Sequence, residues 1–301
     1  MSDSVGFIGL GIMGYPMAKN LLDKGVKLLL NDVRDEPIVS LLAAYQATTA
    51  ERASVCDIAA RCDIIFTMLP SDAVSYQVII GENGLAPRLK AGALVVDMSS
   101  VTPACSIKCS GVLAERGATH LDAPVSGGEP KAADGSLAFM VGGAQGDYQR
   151  ALPYLEKMGA SIKRVGDSGA GSLCKLANQV IVNLNIAALS EAFVLLCKAG
   201  GDPQSAYEAI RHGLAGSAAL DAKIPKILSR DFVPGGKMSI NYKDIGNAMA
   251  TAAGYDVAMP LTSQLYDIMR SIKAQGDTDE DHSALVRYFE RLSNCEVQSN
   301  K

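Results

Sequence analysis

A single lysine opens a long apolar stretch just past the middle of the chain. In the segment SGAGSLCKLANQV, residues 168–180, Lys175 is the only charged residue between Asp167 and Glu191. An ammonium buried in an apolar helix is costly unless it has a partner or a task. A lysine whose side chain extends along the helix to solvent is the alternative, but the helix dipole disfavours a cation near the amino end. Lys175 is therefore the first candidate for a functional group.

A glycine-rich loop near the start of the chain is the second candidate. Residues 9–14, GLGIMG, follow the apolar run VGFI and precede a segment of helical periodicity. In a strand–loop–helix context, Gly9 makes the tight turn, Gly11 lets the backbone approach a pyrophosphate, and Gly14 permits close helix–strand contact. The free N–H groups and the dipole of the helix then face the phosphates. The loop residues predicted to hold a dinucleotide are Gly9, Leu10, Gly11, Ile12, Met13 and Gly14.

An acidic residue stands where a dinucleotide site needs one. Asp32 closes the second apolar run, eighteen positions after Gly14. A carboxylate at this place accepts hydrogen bonds from the ribose diol of NAD and repels the 2′-phosphate of NADP. Arg34 could reduce that repulsion. We expect NAD as cofactor, with NADP possible, and a flavin or nucleotide-sugar site is the remaining alternative.

The elements that must position these residues change in character along the chain. Short aliphatic runs alternate with helical segments over the first half, which predicts a parallel sheet covered by helices on both faces. From about residue 169 the pattern is helical, beginning with a candidate helix of nearly thirty residues that ends at Gly200. We predict one domain over residues 1–165 and a second, all-helical domain over residues 166–301. The predicted strands lie within 5–10, 26–32, 63–70, 93–100, 119–125, 136–143 and 160–166.

Composition excludes several classes of function. The 301 residues carry a net charge of −4 with no marked cluster of Lys and Arg, which argues against nucleic acid or an anionic membrane as partner. The seven cysteines show no metal-ligand spacing and the three histidines are scattered, so no metal site is predicted. No signal peptide is visible, and the longest uncharged run, 176–190, is too short to span a bilayer. We expect a cytoplasmic protein with reduced thiols.

Four segments, in this order, resemble the β-hydroxyacid dehydrogenase family, and the resemblance covers nearly the whole chain. Four ordered segments are far more specific than one glycine motif. They are GFIGLGIMGYPMAKNLL (6–22), DAPVSGGEPKAADGSLAFMVGG (122–143), GAGSLCKLANQ (169–179) and KDIGNA (243–248).

The resemblance implies an architecture and a reaction. The fold would be an N-terminal Rossmann domain, doubly wound and mainly parallel, joined by a long helix to an all-α C-terminal domain. The enzyme would be a homodimer or homotetramer that binds a small anionic hydroxy or oxo acid between its domains. It would transfer a hydride between the nicotinamide of NAD(P) and that acid.

The resemblance also assigns the catalytic group. The family motif GxGxxxK maps onto Gly169, Gly171 and Lys175, and implies that Lys175 is the general acid in reduction and the base in oxidation. Asn178 and Gln179 lie three and four residues further on and so share its helical face. The family commonly has asparagine at the fourth position, where this chain has Gln179, so either amide could assist Lys175. A structural hydrogen bond between helices is the alternative for both.

Further residues follow from the remaining motifs. Ser126, Gly127 and Gly128 follow the run LDAPV, where a hydroxyl and two successive N–H groups can form a nest for a substrate carboxylate; a plain turn is the alternative. By resemblance, Lys243 reaches the cofactor or substrate from the second domain, and Asp244 holds Lys243 or the contact between the domains. A surface salt bridge would explain the same pair. Other residues are placed near the cofactor by their position at strand ends: Leu69, Pro70 and Ser100, with Thr102 either a helix N-cap or a ligand group.

A function of another class is a relative that keeps the fold but lacks the chemistry, such as a cofactor sensor or an imine reductase. In those relatives the catalytic lysine is lost. The presence of Lys175 argues against both.

Overall fold

The chain folds into two units, Met1–Lys175 and Leu176–Lys301, in a computed structural model that describes residues 4–45, 49–276 and 278–298. The first unit is built on a mainly parallel sheet and the second is helical.

The sheet of the first unit has nine strands in the described part of the chain. They are β1 Val5–Ile8, β2 Leu28–Asn31, β3 Ala50–Arg52, β4 Ile64–Thr67, β5 Leu94–Asp97, β6 Thr119–Asp122, β7 Val125–Ser126, β8 Leu137–Gly142 and β9 Gly159–Gly166. Their order is β3-β2-β1-β4-β5-β6-β8-β7, with β9 paired to β8, and the pairs from β3 to β6 are all parallel. The chain starts at β1, adds β2 and β3 on one side, and then adds β4, β5 and β6 on the other side, which is the order of a doubly wound dinucleotide-binding fold.

Helices cover both faces of this sheet, which is why its central strands are apolar throughout. The helices of this unit are α1 Gly14–Asp23, α2 Asp35–Ala44, α3 Val55–Arg61, α4 Asp72–Ser75 with a π-helical turn Tyr76–Ile80, α5 Pro103–Ala114, α6 Gly128–Asp134 and α7 Gln145–Leu155; a 3₁₀ turn spans Ala86–Arg88. On one face Phe7 and Phe66 pack against α1 and α7, and on the other Ile65 and Val95 pack against α3 and α5.

The predicted α/β architecture is confirmed, and each of the seven predicted runs contains a strand. Two further strands were not predicted. Strand β3 has only three residues and two of them are exposed, so it carries no apolar pattern. Strand β7 has two residues and is antiparallel to β8.

The second unit packs its helices around two apolar clusters. One cluster gathers Phe193, Ile224 and Ile227, and the other gathers Ile186, Ile245 and Met269. The helices are α8 Ala170–Lys198, which begins in the first unit, then α9 Pro203–Ile210, α10 Ala218–Leu228, α11 Met238–Gly254, α12 Pro260–Ala274 and α13 Val286–Ser293, with a 3₁₀ turn His282–Leu285.

Helix α8 is both long and apolar. Its length and its mean hydropathy of 2.0 are those of a helix that could cross a membrane, and 33% of its most apolar part is buried within the structure. The core helix of a soluble protein can have the same length and composition, so these two features are weak evidence for a membrane span. Ile181 and Leu195 are its most exposed large apolar residues.

Candidate active site

The glycine loop connects β1 to α1 in the conformation that its three glycines require. Gly9 has a φ of 95°, a region that other residues rarely adopt. A Cβ on Gly14 would overlap the carbonyl oxygen of Gly9, so the helix starts in close contact with the strand end. Above Gly11 the space is open, because a Cβ there would meet no atom within 4 Å. The loop therefore offers an open cradle at the amino end of α1, which fits the close approach of a pyrophosphate.

The carboxylate of Asp32 ties the end of β2 to this loop. Its Oδ2 accepts a hydrogen bond of 2.6 Å from the backbone N–H of Leu10, and its Oδ1 accepts one of 2.8 Å from the N–H of Arg34. The Arg34 guanidinium in turn donates to the carbonyl of Leu10. Asp32 thus shapes the glycine loop through its hydrogen bonds.

A polar network that the sequence did not indicate holds the loops after β4 and β5. The buried carboxylate of Asp97 accepts hydrogen bonds from the Thr67 hydroxyl, at 2.8 Å, and from the Ser99 hydroxyl. Ser99 Oγ accepts the backbone N–H of Leu69 at 2.7 Å. Leu69 and the half-buried Ser100 both follow this network directly. An aspartate at the end of a buried strand, in VVDMSS, is the signal that could have revealed it.

Thr102 acts as a helix cap. Its hydroxyl accepts the N–H of Cys105 at 3.2 Å and donates to Asp72, so it starts α5, with Pro103 as the first helical residue. Of the two roles left open for Thr102, the structure supports the N-cap.

The Ser126-Gly127-Gly128 segment turns from β7 into α6. Gly127 and Gly128 both have positive φ, 139° and 70°, a backbone conformation that residues with a side chain rarely adopt. The aliphatic stem of Lys131 packs over Gly127, where a Cβ would come within 2.7 Å of it. Ser126 is half-buried. The segment is therefore a tight turn that leads directly into α6.

The amino end of α8 is fixed to the sheet of the first unit. Asp122, the last residue of β6, accepts the N–H of Gly169 and the N–H of Ser172, both at 2.8 Å. A Cβ on Gly171 would overlap the carbonyl oxygens of Asp122 and Met140, so only glycine fits there. Gly169 has a φ of 90°. The glycines of the GxGxxxK motif therefore serve the docking of the helix.

Lys175 follows one turn later on this docked segment. It is 9% exposed, in agreement with its place in an apolar helix. The nearest charged side chains along the chain are those of Asp167 and Glu191.

In the helical unit, a buried carboxylate joins three of the predicted residues. Asp244 is 1% exposed; its Oδ2 accepts a hydrogen bond of 2.7 Å from Gln179 and its Oδ1 lies 3.1 Å from the Lys243 ammonium. Gln179 also donates to Asn241 at 3.4 Å, and its own Oε1 accepts from Asn178 at 3.0 Å. Asn241 was not expected from the sequence, although it shares a helix face with Asp244 by its spacing.

Each unit thus assembles its own part of the predicted set. The first unit holds the glycine loop, Asp32, Leu69, Pro70, Ser100, the 126–128 turn and Lys175. The second holds Asn178, Gln179, Lys243 and Asp244. Among the described residues, no group of three or more His, Cys, Asp or Glu side chains could hold a metal ion.

Two protein-family models match the chain. Residues 4–166 match the NAD binding domain of 6-phosphogluconate dehydrogenase, and residues 169–289 match the NAD-binding domain of NADP-dependent 3-hydroxyisobutyrate dehydrogenase.

Individual proteins match it over nearly their full length. The 2-hydroxy-3-oxopropionate reductase of Escherichia coli K12 is 38% identical, covering 96% of this chain and 98% of the relative. The 2-(hydroxymethyl)glutarate dehydrogenase of Eubacterium barkeri is 37% identical, covering 100% and 99%. Among solved structures, the 3-hydroxyisobutyrate dehydrogenase of Mycobacterium tuberculosis, crystallised with L-serine, superposes with a TM-score of 0.86 at 30% identity, covering 95% and 99%.

Proposed function

This chain belongs to the β-hydroxyacid dehydrogenase family and is an NAD(P)-dependent oxidoreductase, and from that premise we propose that it reduces tartronate semialdehyde (2-hydroxy-3-oxopropionate) to D-glycerate, with Lys175 as general acid. The observation that carries the catalytic part is the burial of Lys175 on a helix end that is hydrogen-bonded to the sheet. An ammonium buried at an anchored helix end is held in a fixed place and shielded from water, as a general acid requires.

The residues at the end of β1 and β2 suit a dinucleotide. The N–H groups of the 9–14 loop would hold the pyrophosphate, supported by the open cradle above Gly11. Asp32 would accept the ribose hydroxyls, while Leu69, Pro70 and Ser100 would line the path of the cofactor. When bound, the reduced nicotinamide supplies the hydride.

The proposed reaction is the reduction of an aldehyde to a primary alcohol. The hydride adds to the aldehyde carbon of the semialdehyde, the C=O π bond breaks, and the oxygen gains negative charge. Lys175 gives its Nζ proton to that oxygen and later recovers one from solvent. In the reverse direction the neutral amine takes the proton from the alcohol. A cation in a site shielded from water also stabilises the developing oxyanion before the proton moves.

The substrate carboxylate needs donors of its own. We assign it to the Ser126 hydroxyl and the N–H groups of Gly127 and Gly128, because a hydroxyl and two consecutive backbone donors lie together at this turn before α6. Binding by backbone N–H groups tolerates different groups beyond the carboxylate, which fits a family whose members differ in substrate.

The pair of Lys243 and Asp244 would supply a second cation. The buried Asp244 fixes the Lys243 ammonium from one side, and Gln179 fixes Asp244 from the other. A lysine held by a partly neutralising carboxylate suits a cofactor or substrate anion better than a mobile surface lysine does. Of the two amides considered beside Lys175, Gln179 is engaged by Asp244, and Asn178 donates to Gln179.

The choice of substrate within the family rests on sequence. The segments SGGEPKA, GLAGSAALDAK and DHSAL resemble those of tartronate semialdehyde reductases, yet two relatives of different substrate are 38% and 37% identical. Oxidation of 3-hydroxyisobutyrate, L-threonate or a hydroxymethyl-dicarboxylate is the alternative. Sulfolactaldehyde is disfavoured by the intact SGGEPKA segment, and a non-catalytic or imine-reducing role is disfavoured by Lys175.

A substrate panel tests the proposal. The purified protein is mixed with NADH or NADPH and with tartronate semialdehyde, methylmalonate semialdehyde or succinate semialdehyde, and loss of nicotinamide absorbance is followed. We expect the highest kcat/KM with tartronate semialdehyde. A higher kcat/KM with another semialdehyde would identify that compound as the substrate and leave the proposed reaction unchanged. No turnover with any of the acids in either direction would refute the catalytic proposal.

We further propose that the enzyme is a cytoplasmic homodimer or homotetramer. All seven cysteines are free, as expected in a reducing compartment, and exposed apolar residues such as Ile181 and Leu195 on α8 suit a subunit contact. Light scattering coupled to size-exclusion chromatography distinguishes a monomer of 31.5 kDa from two or four copies.

A further inference from the structure

The carboxylate of Asp122 does more than end strand β6. Both of its oxygens are used by the start of α8, Oδ1 by the N–H of Gly169 and Oδ2 by the N–H of Ser172, each at 2.8 Å. Two donors on two oxygens fix the helix end against sliding along its axis and against rotation about it. A single acceptor, as in an ordinary N-cap, would leave the rotation free.

Close packing restricts the same helix end a second time. Gly142 on β8 faces it, and a Cβ there would come within 2.6 Å of Asp122 Oδ1 and of the Gly171 N–H nitrogen. On its other side, Ser172 Oγ lies 2.9 Å from Ser106 Oγ of α5 in a buried hydrogen bond. The first turn of α8 is therefore held by a strand end, a glycine contact and a neighbouring helix.

The charge of Asp122 is costly where it lies. The side chain is 1% exposed, and burial raises its pKa although the N–H groups of Gly169 and Ser172 act to lower it. His120, two residues earlier, is also buried, and burial lowers its pKa, so it remains neutral and offers no full counter-charge. The charge is instead met by the positive end of the α8 dipole and the two N–H donors.

A hydroxyl or an amide presents only one acceptor atom here, so the contact through two oxygens is particular to a carboxyl group. Ser172, whose N–H is bound, precedes Lys175 by three residues, which is less than one helical turn and about 4.5 Å along the axis. A displacement of the first turn would therefore displace the Lys175 side chain as well. Reactions of this kind lose about a hundredfold in rate when a reacting group is displaced by about 1 Å.

We propose that Asp122 is a positioning residue for Lys175: its two-oxygen clamp sets the rotation and height of the first turn of α8, and through it the place of the catalytic ammonium. The inference rests on the proposed function of Lys175. It assigns to Asp122 no contact with substrate or cofactor.

The test compares Asp122→Asn with the wild-type enzyme. Asparagine keeps the shape but presents an amide NH₂ to one of the two N–H groups, so the clamp is lost on one side. We expect hydrogen–deuterium exchange at the amides of Gly169 and Ser172 to become at least about tenfold faster, with the glycine-loop peptide unchanged. We expect kcat to fall by about tenfold to a hundredfold while KM for NADH stays within about twofold. The deuterium isotope effect on kcat from C4-deuterated NADH should rise, because chemistry becomes slower than product release.

Two further variants complete the test. Asp202→Asn is the matched control, because Asp202 also accepts a backbone N–H at a helix start, that of Ser205 at 2.8 Å on α9, and it should leave kcat unchanged. Asp122→Ser keeps one small acceptor for the two N–H groups and should change exchange and kcat in the same direction as Asp122→Asn. It carries the test if Asp122→Asn does not fold.

The outcomes separate this inference from the proposed function. If exchange and kcat of Asp122→Asn match the wild type, or if those of Asp122→Ser do so when Asp122→Asn is unfolded, positioning by Asp122 is overturned. A fall in kcat without faster exchange at the start of α8 also overturns it. If the wild-type enzyme reduces no semialdehyde, the proposed function fails, and the exchange experiment still reports on the clamp.

Discussion

Gln179 donates a hydrogen bond of 2.7 Å to Asp244, and this bond joins α8 to α11 inside the helical unit. Asp244 is buried and also lies beside the Lys243 ammonium, so the bond is made to a carboxylate that pairs with a cation. It links two segments, KLANQ and KDIGNA, that carry the resemblance to the family but lie more than sixty residues apart. Their shared carboxylate gives a physical reason for both motifs.

Replacing Gln179 by leucine should destabilise the protein by about 1.5–3 kcal/mol, since a hydrogen bond to a buried charge is lost. Urea unfolding measures the change. The matched control is Gln204→Leu, whose amide donates to Glu208 at 3.2 Å on an exposed surface and should contribute under about 0.5 kcal/mol. Equal losses in the two variants would mean that the Gln179–Asp244 bond does not stabilise the helical unit.

Lys175→Ala should lower kcat by about two to four orders of magnitude, the scale of general acid catalysis, and leave the Kd for NADH nearly unchanged. Stopped-flow turnover and fluorescence titration with NADH measure the two quantities. Lys198→Ala is the control, because Lys198 lies on the same helix with its ammonium at the surface, 3.3 Å from the Asn294 carbonyl. Substantial turnover by the Lys175 variant would remove this lysine from its role.

The sequence predicted those features that depend on neighbours along the chain. Strand runs, the 9–14 loop and the long helix α8 each have a local pattern. The network of Asp97 and the clamp of Asp122 were missed, because Asp122 and Gly169 are 47 residues apart and no periodicity connects them. Helix α11 begins at Met238, whose backbone N–H donates to the carbonyl of Glu280, a contact with a distant segment that no local pattern predicts.

Asp32→Asn should shift the ratio of kcat/KM for NADH to that for NADPH toward NADPH by about tenfold, because the charge that repels a 2′-phosphate is removed. Asparagine keeps an acceptor for the Leu10 N–H, which Asp32 binds at 2.6 Å, so the loop should remain folded. In the background of Asp32→Asn, Arg34→Ala should reverse the gain with NADPH. An unchanged ratio in Asp32→Asn would place recognition of the 2′ position elsewhere.

Gly171→Ala and Gly111→Ala should change stability in opposite directions. A Cβ on Gly171 would overlap two carbonyl oxygens, so the start of α8 must move, and we expect a loss of about 2 kcal/mol or more. A Cβ on Gly111, within α5, meets no atom within 4 Å, and alanine there should add about 0.5–1 kcal/mol. Thermal unfolding of both variants measures this, and a neutral Gly171→Ala would disprove the close contact of α8 with the sheet.

The buried pair of Asp281 and Lys223 should give the protein a distinct acid sensitivity. Asp281 is fully buried and accepts the Lys223 ammonium at 2.9 Å, together with the N–H groups of Gly235, Gly236 and Ser283. Burial alone would raise its pKa, but the Lys223 and His282 charges and the backbone donors hold the pKa at about 2. Because this lies below the value of an unfolded aspartate, about 3.9, the ionised form favours folding.

The stabilisation by Asp281 is therefore fully present above about pH 4 and is lost as the pH falls toward about 2, a change of about 2 kcal/mol. Burial lowers the pKa of Lys223, but this residue stays protonated over this acidic range and does not contribute to the pH dependence of stability. Asp281→Asn should lose about 3–5 kcal/mol at pH 7, since it leaves the Lys223 ammonium buried without its partner, and the loss should shrink as the pH approaches 2. The control Asp279→Asn breaks the exposed pair with Lys237 and should change stability by under about 0.5 kcal/mol at every pH. Urea unfolding of the three proteins between pH 2 and 7 measures the effect, and a pH-independent difference between wild type and Asp281→Asn would contradict it.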